Sequence, residues 1–221
     1  MDALLDQFFN VQIMVRAWPI IWRGLLTTLL VCAVVVPLGL VGGLGVALLA
    51  GTRRPALRFA VAALVDFFRA VPPLVLLIFI YSGLPFAGIR LSPFAAVALA
   101  FLLNNASYYG EIYRAGIESV GRGQWEAARS TGLGAFQAMA YVIIPQAVRN
   151  VLPDLISNTV EVVKLTSLAS VVALPELLYA ADMARSLTYN ASPIVLAAAI
   201  YLVILWPVVR LVSRLEHRVG S

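Results

Sequence analysis

The sequence predicts an all-α integral membrane protein with five transmembrane helices. Of its 221 residues, 62% are hydrophobic and 12% are charged, and the mean hydropathy is +0.92. A soluble domain normally has about a quarter of its residues charged. Long apolar runs make up most of the chain, and about 20 apolar residues suffice to cross the hydrocarbon core of a bilayer as a helix. We therefore expect one membrane domain over residues 1–221.

Charge and reactive side chains narrow the class of protein further. The net charge is +5, but the arginines lie at the ends of apolar runs, which is typical of topology signals rather than of nucleic-acid binding. Cys32 is the single cysteine and lies in an apolar run, so we expect a small buried hydrophobe. His217 is the single histidine. The sequence therefore predicts no intrachain disulfide, no metal site and no nucleic-acid partner.

The first span is predicted over residues 25–50, where no residue is charged. Residues 1–23 mix charged and aromatic side chains, which is typical of the membrane interface. The glycines of the span either let another helix approach closely or are tolerated against lipid. These glycines are Gly39, Gly42, Gly43 and Gly45, and the arginines that follow the span are Arg53, Arg54 and Arg58.

The second and third spans are predicted over residues 59–84 and 93–112. Pro72 and Pro73 must bend or restart the second span, because proline lacks an N–H group and clashes with the preceding turn. The second half of the third span, residues 104–111, is unusually polar. Polar groups are costly in lipid, so these residues either face a water-filled path or join neighbouring helices through hydrogen bonds.

The fourth and fifth spans are predicted over residues 153–175 and 193–209. The fourth carries Glu161 and Lys164, which are three residues apart and therefore share a helix face. Lys164 is the single lysine of the chain. A charged pair inside a span indicates a functional site, and a purely mutual salt bridge is the alternative.

The distribution of arginines predicts the orientation of the five spans. With the amino terminus outside, ten arginines fall in inner segments and four in outer segments. The inner ones are Arg53, Arg54, Arg58, Arg114, Arg122, Arg129, Arg149, Arg210, Arg214 and Arg218; the outer ones are Arg16, Arg23, Arg90 and Arg185. Positive residues favour the cytoplasmic side. We therefore expect a periplasmic amino terminus and a cytoplasmic carboxy terminus.

The cytoplasmic loop over residues 113–150 is predicted to dock onto another protein. Residues 126–129 favour a helix, and Gly132 and Gly134 favour its end. The two alanines in its middle make this helix thin enough to press against a partner, with Glu126 and Arg129 free at its edge. An ordinary amphipathic interface helix is the alternative.

The same loop resembles the EAA loop that marks the permease subunits of bacterial ABC importers. The residues that carry this resemblance are Glu126, Ala127, Ala128, Gly132, Ile144 and Pro145. Other stretches are similar to the polar amino-acid branch of these permeases, the histidine, glutamine and arginine type. These stretches occur along the chain in the same order as in the family. They are Arg69 to Pro85, Tyr108 to Val120, Lys164 to Leu168, and the ending Leu215-Glu216.

The resemblance implies a type I ABC importer permease fold in the bacterial inner membrane. It implies as partners an ABC ATPase dimer, a second permease that is a copy or a paralogue, a periplasmic solute-binding protein and an amino-acid substrate. The sequence contains no phosphate loop, so we expect ATP and Mg to bind to the partner ATPase. We therefore predict that this chain is not an enzyme and holds no cofactor. The implied ATPase-coupling residues are Gln124, Glu126, Ala127, Ala128, Arg129 and Gly132.

The substrate path is predicted on spans three and four. An α-amino acid carries an ammonium and a carboxylate, so a site within the membrane needs groups of both signs or well-placed dipoles. The candidates are Asn104, Asn105, Glu111, Glu161, Lys164, Thr166 and Ser167. Several residues depart from the family pattern and leave the substrate open, namely Ala70, Val71, Leu76, Gly121, Glu161 and Leu165.

Other functions remain alternatives at this point. A channel-like protein would fit the polar third span but would not explain the EAA pattern. An ABC permease for a substrate other than an amino acid fits the loop equally well. An intramembrane enzyme is disfavoured, because the spans lack a convincing nucleophile and base or a metal cluster.

Overall fold

The computed structural model describes residues 2–52 and 54–219, and side chains for 3–52 and 54–214. Arg53 and the side chains of Leu215, Glu216, His217 and Arg218 lie outside the described residues. The described part is helical and contains no strand, which confirms the all-α prediction. Its α-helices are α1 (Asp2–Phe9), α2 (Val11–Ala50), α3 (Pro55–Ala70), α4 (Pro73–Ile78), α5 (Pro93–Ser119), α6 (Arg122–Ser130), α7 (Ala135–Ala138), α8 (Ile144–Leu165), α9 (Leu177–Thr188) and α10 (Ser192–Val219). Short π-helical turns at Phe79–Gly83 and Met139–Ile143 and 3₁₀ turns at Leu84–Ala87 and Thr166–Val172 extend these helices.

Within the described residues, three helical segments are long and apolar enough to cross a membrane: Ala3–Ala50, Ala135–Val172 and Ser192–Arg214. Pro55–Ala70 and Pro73–Ala87 are together also long and apolar enough, but the chain bends by 100° between them. If this bent pair is one span, the described residues contain four spans. The bend falls at the proline pair, as the sequence predicts. Helix α5 is not in this set, because the polar residues of its second half lower its hydropathy. The count of five spans therefore stays a prediction.

The chain divides into two compact units. The first comprises residues 1–37, 71–101 and 160–209, and the second comprises residues 38–70, 102–159 and 210–221. In the first unit, α2, α9 and α10 share an apolar core. Its buried members are Ala17, Ile21, Leu25, Leu177, Ala181, Ala184 and Ala197.

Hydrogen bonds fix the start of the chain in the first unit. The side-chain oxygen of Asn10 accepts the N–H of Ile13 at 3.1 Å and thereby caps the start of α2. The backbone N–H of Asn10 donates to the Ser192 hydroxyl at 2.9 Å, and the N–H of Ala191 donates to the carbonyl of Gln7 at 3.0 Å. These bonds tie the junction of α1 and α2 to the start of α10.

A buried carboxyl group begins α9 in the predicted loop between spans four and five. The side chain of Glu176 is 0% exposed and accepts the N–H groups of Leu178 and Tyr179 at 2.8 and 2.7 Å. The Tyr201 hydroxyl donates to the same carboxyl at 3.3 Å. Burial raises the pKa of Glu176 to about 7, although these hydrogen bonds favour the charged form.

Glycines bring α2 and α5 close together in the second unit. A Cβ atom added at Gly43 would clash with the Cβ of Tyr109, and one added at Gly42 would lie 2.9 Å from that of Ala106. Gly45 has no such neighbour within 4 Å. Close helix approach therefore explains Gly42 and Gly43, whereas it does not explain Gly45.

Candidate functional site

Helix α6 forms the centre of the predicted docking loop. It ends at Thr131, followed by Gly132 with φ +86°, a left-handed conformation that favours glycine. The N–H of Gly132 donates to the carbonyl of Arg129 at 3.1 Å, and the N–H of Leu133 donates to that of Ala128 at 3.3 Å. This pair of bonds is the Schellman motif. The predicted stop at Gly132 is therefore confirmed, whereas Gly134 has φ −64° and precedes α7 as its N-cap.

A small apolar cluster attaches α6 to the ends of α5 and α8. Val120, Ile143 and Ala147 are buried in it, and Trp125 of α6 packs against them. Ala128 is 5% exposed and also faces inward. The Nε2 of Gln146 donates to the Oε1 of Gln124 at 3.2 Å. Packed side chains therefore join α6 to the ends of α5 and α8.

The outer side of α6 is polar and exposed. Gln124, Glu126, Ala127 and Arg129 are exposed. The Nη1 of Arg129 donates to the carbonyl of Leu133 at 3.0 Å, and its guanidinium stays exposed. That Glu126 and Arg129 make charged contacts with a partner stays a prediction. This bond joins the last turn of α6 to the chain after Gly132. Glu126 and Ala127 remain the central exposed residues of the helix.

Two side chains in the polar half of α5 donate to backbone carbonyls that the proline pair leaves without helical partners. In a continuous helix, the carbonyls of Phe68 and Arg69 would accept the N–H groups of residues 72 and 73, but both are prolines. The Nδ2 of Asn104 donates to the carbonyl of Phe68 at 3.0 Å, and the Tyr108 hydroxyl donates to that of Arg69 at 3.5 Å. Asn104 and Tyr108 lie one turn apart on α5 and therefore reach successive carbonyls.

A chain of ion pairs continues along α5 from the same break. Glu111 lies 3.6 Å from the guanidinium of Arg69 and 2.9 Å from that of Arg114. Arg114 also lies 2.7 Å from Glu118, and the Arg69 guanidinium lies 5.4 Å from the centre of the Tyr108 ring. The negative charge of Glu111, a predicted substrate-path residue, is thus balanced within the protein.

Span four carries a charged pair of a different kind in the first unit. The Nζ of Lys164 lies 2.6 Å from the Oε1 of Glu161, as the salt-bridge alternative predicts. Their side chains are nevertheless 51% and 63% exposed. Because charge in contact with hydrocarbon is costly, this face of α8 needs protein or water against it.

An open cavity of about 440 Å³ lies beside this pair. Lys164, Ser167, Tyr201 and Trp206 are among the residues that line it. Ser167 donates its hydroxyl to the carbonyl of Lys164 at 2.8 Å. The cavity therefore combines the Lys164 cation with a mostly apolar wall, since the hydroxyls of Ser167 and Tyr201 already donate within the protein.

The other predicted path residues are buried and bonded. Asn104 and Asn105 are each 1% exposed, and Thr166 is 0% exposed with its hydroxyl donating to the carbonyl of Val163 at 2.7 Å. Asn104, Asn105 and Glu111 belong to the second unit, and the residues from Glu161 to Ser167 belong to the first.

Sequence reasoning missed the buried Glu176 and the pair formed by Tyr109 and Thr159. The hydroxyl groups of Tyr109 and Thr159 lie 2.7 Å apart. Neither feature has a local sequence signal, because both depend on contacts between distant residues. The position of Glu176 directly after a proline and before a helix was the only hint.

Comparison with known proteins decides the family. The model of the family described as "Binding-protein-dependent transport system inner membrane component" matches residues 43–221. The chain belongs to this family. The resemblance to ABC permeases inferred from the loop is therefore confirmed.

Curated relatives match over most of the chain. It is 36% identical over 210 residues to the "Probable glutamine ABC transporter permease protein GlnM" of Bacillus subtilis, covering 95% of this chain and 97% of that protein. It is 38% identical over 173 residues to the "Probable amino-acid ABC transporter permease protein YckA" of the same organism, covering 78% of this chain and 76% of that protein.

Solved structures share the fold. One titled "Crystal structure of an amino acid ABC transporter with histidines" matches with a TM-score of 0.86 and 36% identity, covering 93% of this chain and 96% of that one. An inward-facing methionine ABC transporter, MetNI, matches with a TM-score of 0.73 and 20% identity, covering 90% of this chain and 96% of that one. At that identity the second match indicates the fold alone. The chain therefore has the fold of ABC importer permeases.

Proposed function

We propose that this chain is the permease subunit of an ATP-driven importer for polar amino acids. The observation that carries the proposal is the 36% identity to a probable glutamine permease over 95% of this chain. A separate ATPase dimer hydrolyses MgATP, a periplasmic binding protein delivers the substrate, and a second permease, a copy or a paralogue, completes the path.

Helix α6 is the part that receives motion from the ATPase. Its exposed residues Gln124, Glu126 and Ala127 contact the ATPase, while Trp125 and Ala128 attach the helix to the apolar cluster beneath it. Closure of the ATPase dimer on ATP then moves α6, α5 and α8 together. Such rigid-body movement of packed helices alternates the access of a central site between the two sides.

Glu161 and Lys164 are the first candidates for the substrate path. They are exposed at a depth where lipid contact is costly, and Lys164 and Ser167 line an adjoining cavity. A zwitterionic amino acid offers an ammonium for Glu161 and a carboxylate for Lys164. Asn104, Asn105, Glu111 and Thr166 are buried or paired in this chain, so we assign them a supporting role.

The orientation follows the arginine distribution. With ten arginines inside and four outside, the amino terminus is periplasmic and the carboxy terminus cytoplasmic. This places α6 on the side where ATP is available. A reporter fused after Ser221 is expected to be active in the cytoplasm, and one inserted near Asp182 in the periplasm.

The Gly132→Val variant tests the role of α6. A β-branched residue at φ +86° is strained by about 1 kcal/mol or more and breaks the Schellman end of the helix. We expect normal membrane insertion but loss of ATP-driven uptake in the complex that contains this variant. Uptake and substrate-stimulated ATP hydrolysis are measured side by side.

Gly121→Ala is the matched control, since Gly121 precedes α6, has φ −56° and has no atom within 4 Å of an added Cβ. It should transport normally. Wild-type uptake by Gly132→Val in an intact complex would contradict the coupling role of α6.

A further inference from the structure

An apolar groove of about 320 Å³ runs between α2, α3 and α5 in the second unit. The residues that define it are Val46 and Leu49 of α2, Val61 and Leu64 of α3, and Leu103 of α5. Ser107 also lines the groove, but its hydroxyl donates to the carbonyl of Leu103 at 3.0 Å and so is already satisfied. The lining of the groove therefore presents no unsatisfied hydroxyl donor to a ligand.

The length of the groove suits one section of an extended hydrocarbon chain. It follows α3 from Val61 to Phe68, a rise of about 10 Å. This is about a third of the hydrocarbon thickness of a bilayer. Leu49 and Leu64 are 47% and 57% exposed, so the groove is open along its side to whatever surrounds α2 and α3.

Two arginines lie in the chain between the residues of α2 and α3 that line this groove. Leu49 is the last but one residue of α2, and the chain then passes through Arg54 and Arg58 before it reaches Val61. Arg58 is three residues before Val61 and shares its helix face. Both arginine side chains are exposed, and neither forms an ion pair with an acidic side chain of the described residues.

The start of α3 lies six residues before Val61, its first residue in the groove lining. The first N–H groups of a helix have no partner within it and carry a partial positive charge, which favours an anion. α3 begins at Pro55, directly between the two arginines. Positive charge is thus concentrated next to an apolar groove in a protein of the inner membrane.

We propose that this groove binds an acyl chain of an anionic phospholipid whose phosphate is held by Arg54 and Arg58. A free anion would use the arginines but not the groove, and a zwitterionic lipid would use the groove without a preference for the arginines. The proposal takes only its membrane location from the family and does not depend on the orientation or the substrate given under Proposed function.

Spin-labelled lipids test the proposal on the full chain in its assembled complex. The purified complex is reconstituted with labelled phosphatidylglycerol or phosphatidylcholine, and the immobilised fraction of each label is measured. We expect a preference for phosphatidylglycerol that falls by up to about fivefold for each arginine changed to glutamine in Arg54→Gln and Arg58→Gln. The Arg54→Lys/Arg58→Lys variant should keep most of the preference.

Matched controls separate the headgroup site from the groove. Arg90→Gln removes an exposed arginine outside the groove and should leave the preference unchanged. Leu64→Trp fills the groove and should reduce the immobilised fraction of both labels. An unchanged preference in Arg54→Gln/Arg58→Gln, unchanged immobilisation in Leu64→Trp, or complete competition by inorganic phosphate would each overturn the proposal.

The assay does not depend on transport. A complex that keeps the lipid preference but fails to import an amino acid contradicts the proposed function alone. A complex that imports normally but has no arginine-dependent preference contradicts the lipid site alone.

Discussion

Two helices of this protein carry polar residues within apolar surroundings, and they use them differently. On α5, Asn104 and Tyr108 donate hydrogen bonds to carbonyls that the proline pair leaves without helical partners. Glu111 of the same helix pairs with two arginines. On α8, Glu161 and Lys164 pair with each other and remain more than half exposed. A polar residue in a span is therefore weak evidence for a substrate path until its hydrogen-bond partners are known.

The buried Glu176 should give the largest effect on stability. Its pKa of about 7 lies above the ordinary 4.5, so the folded protein holds this proton more tightly than the unfolded chain does. The resulting stabilisation is full below about pH 4.5 and is lost as the pH rises to about 7, on the order of 3 kcal/mol. Thermal unfolding in detergent from pH 4.5 to 8 checks this dependence.

Glu176→Gln provides the comparison for that experiment. The amide does not titrate, so this part of the pH dependence should disappear even if the variant is less stable at every pH. A pH profile with the same slope as that of the wild type would show that Glu176 is not the titrating group.

Asn104→Leu tests whether the polar half of α5 is structural. The change leaves the half-buried carbonyl of Phe68 without its donor, at a cost of about 1–3 kcal/mol. We expect a lower unfolding temperature and less assembled complex. Ser107→Ala is the control, because the Ser107 hydroxyl bonds only a carbonyl of its own helix and should be dispensable. Equal stability of the two variants would remove the contrast between α5 and α8.

Glu161→Gln and Lys164→Met should have the smallest effect on stability. Exposed ion pairs contribute about 0–1 kcal/mol, so folding and assembly should persist while substrate preference or uptake changes. Asp182 and Arg185 form a matched pair on α9, also three residues apart, at 2.7 Å. Asp182→Asn and Arg185→Met should leave both stability and uptake unchanged. Uptake with wild-type preference in both α8 variants would refute a role in the path.

The sequence predicts local features well and distant contacts poorly. The apolar runs, the bend at Pro72 and Pro73, and the glycine that ends α6 depend on neighbouring residues, and all appear in the structure. The capping of Phe68 by Asn104 joins residues 36 positions apart, so it could not be predicted. The bond from Arg129 to the carbonyl of Leu133 could not be predicted either, because it depends on how the chain turns after Gly132. The polar residues of α5 therefore looked equivalent to those of α8 until their partners were known.

ATP-dependent uptake in proteoliposomes tests the central proposal most directly. The permease is reconstituted with its ATPase and binding protein, and accumulation of labelled glutamine, arginine and histidine is followed with and without ATP in the compartment that faces the ATPase. We expect accumulation against a gradient of at least one of them, only with both ATP and the binding protein. Equal uptake without ATP, which stops when concentrations are equal on both sides, would indicate a channel and contradict the account.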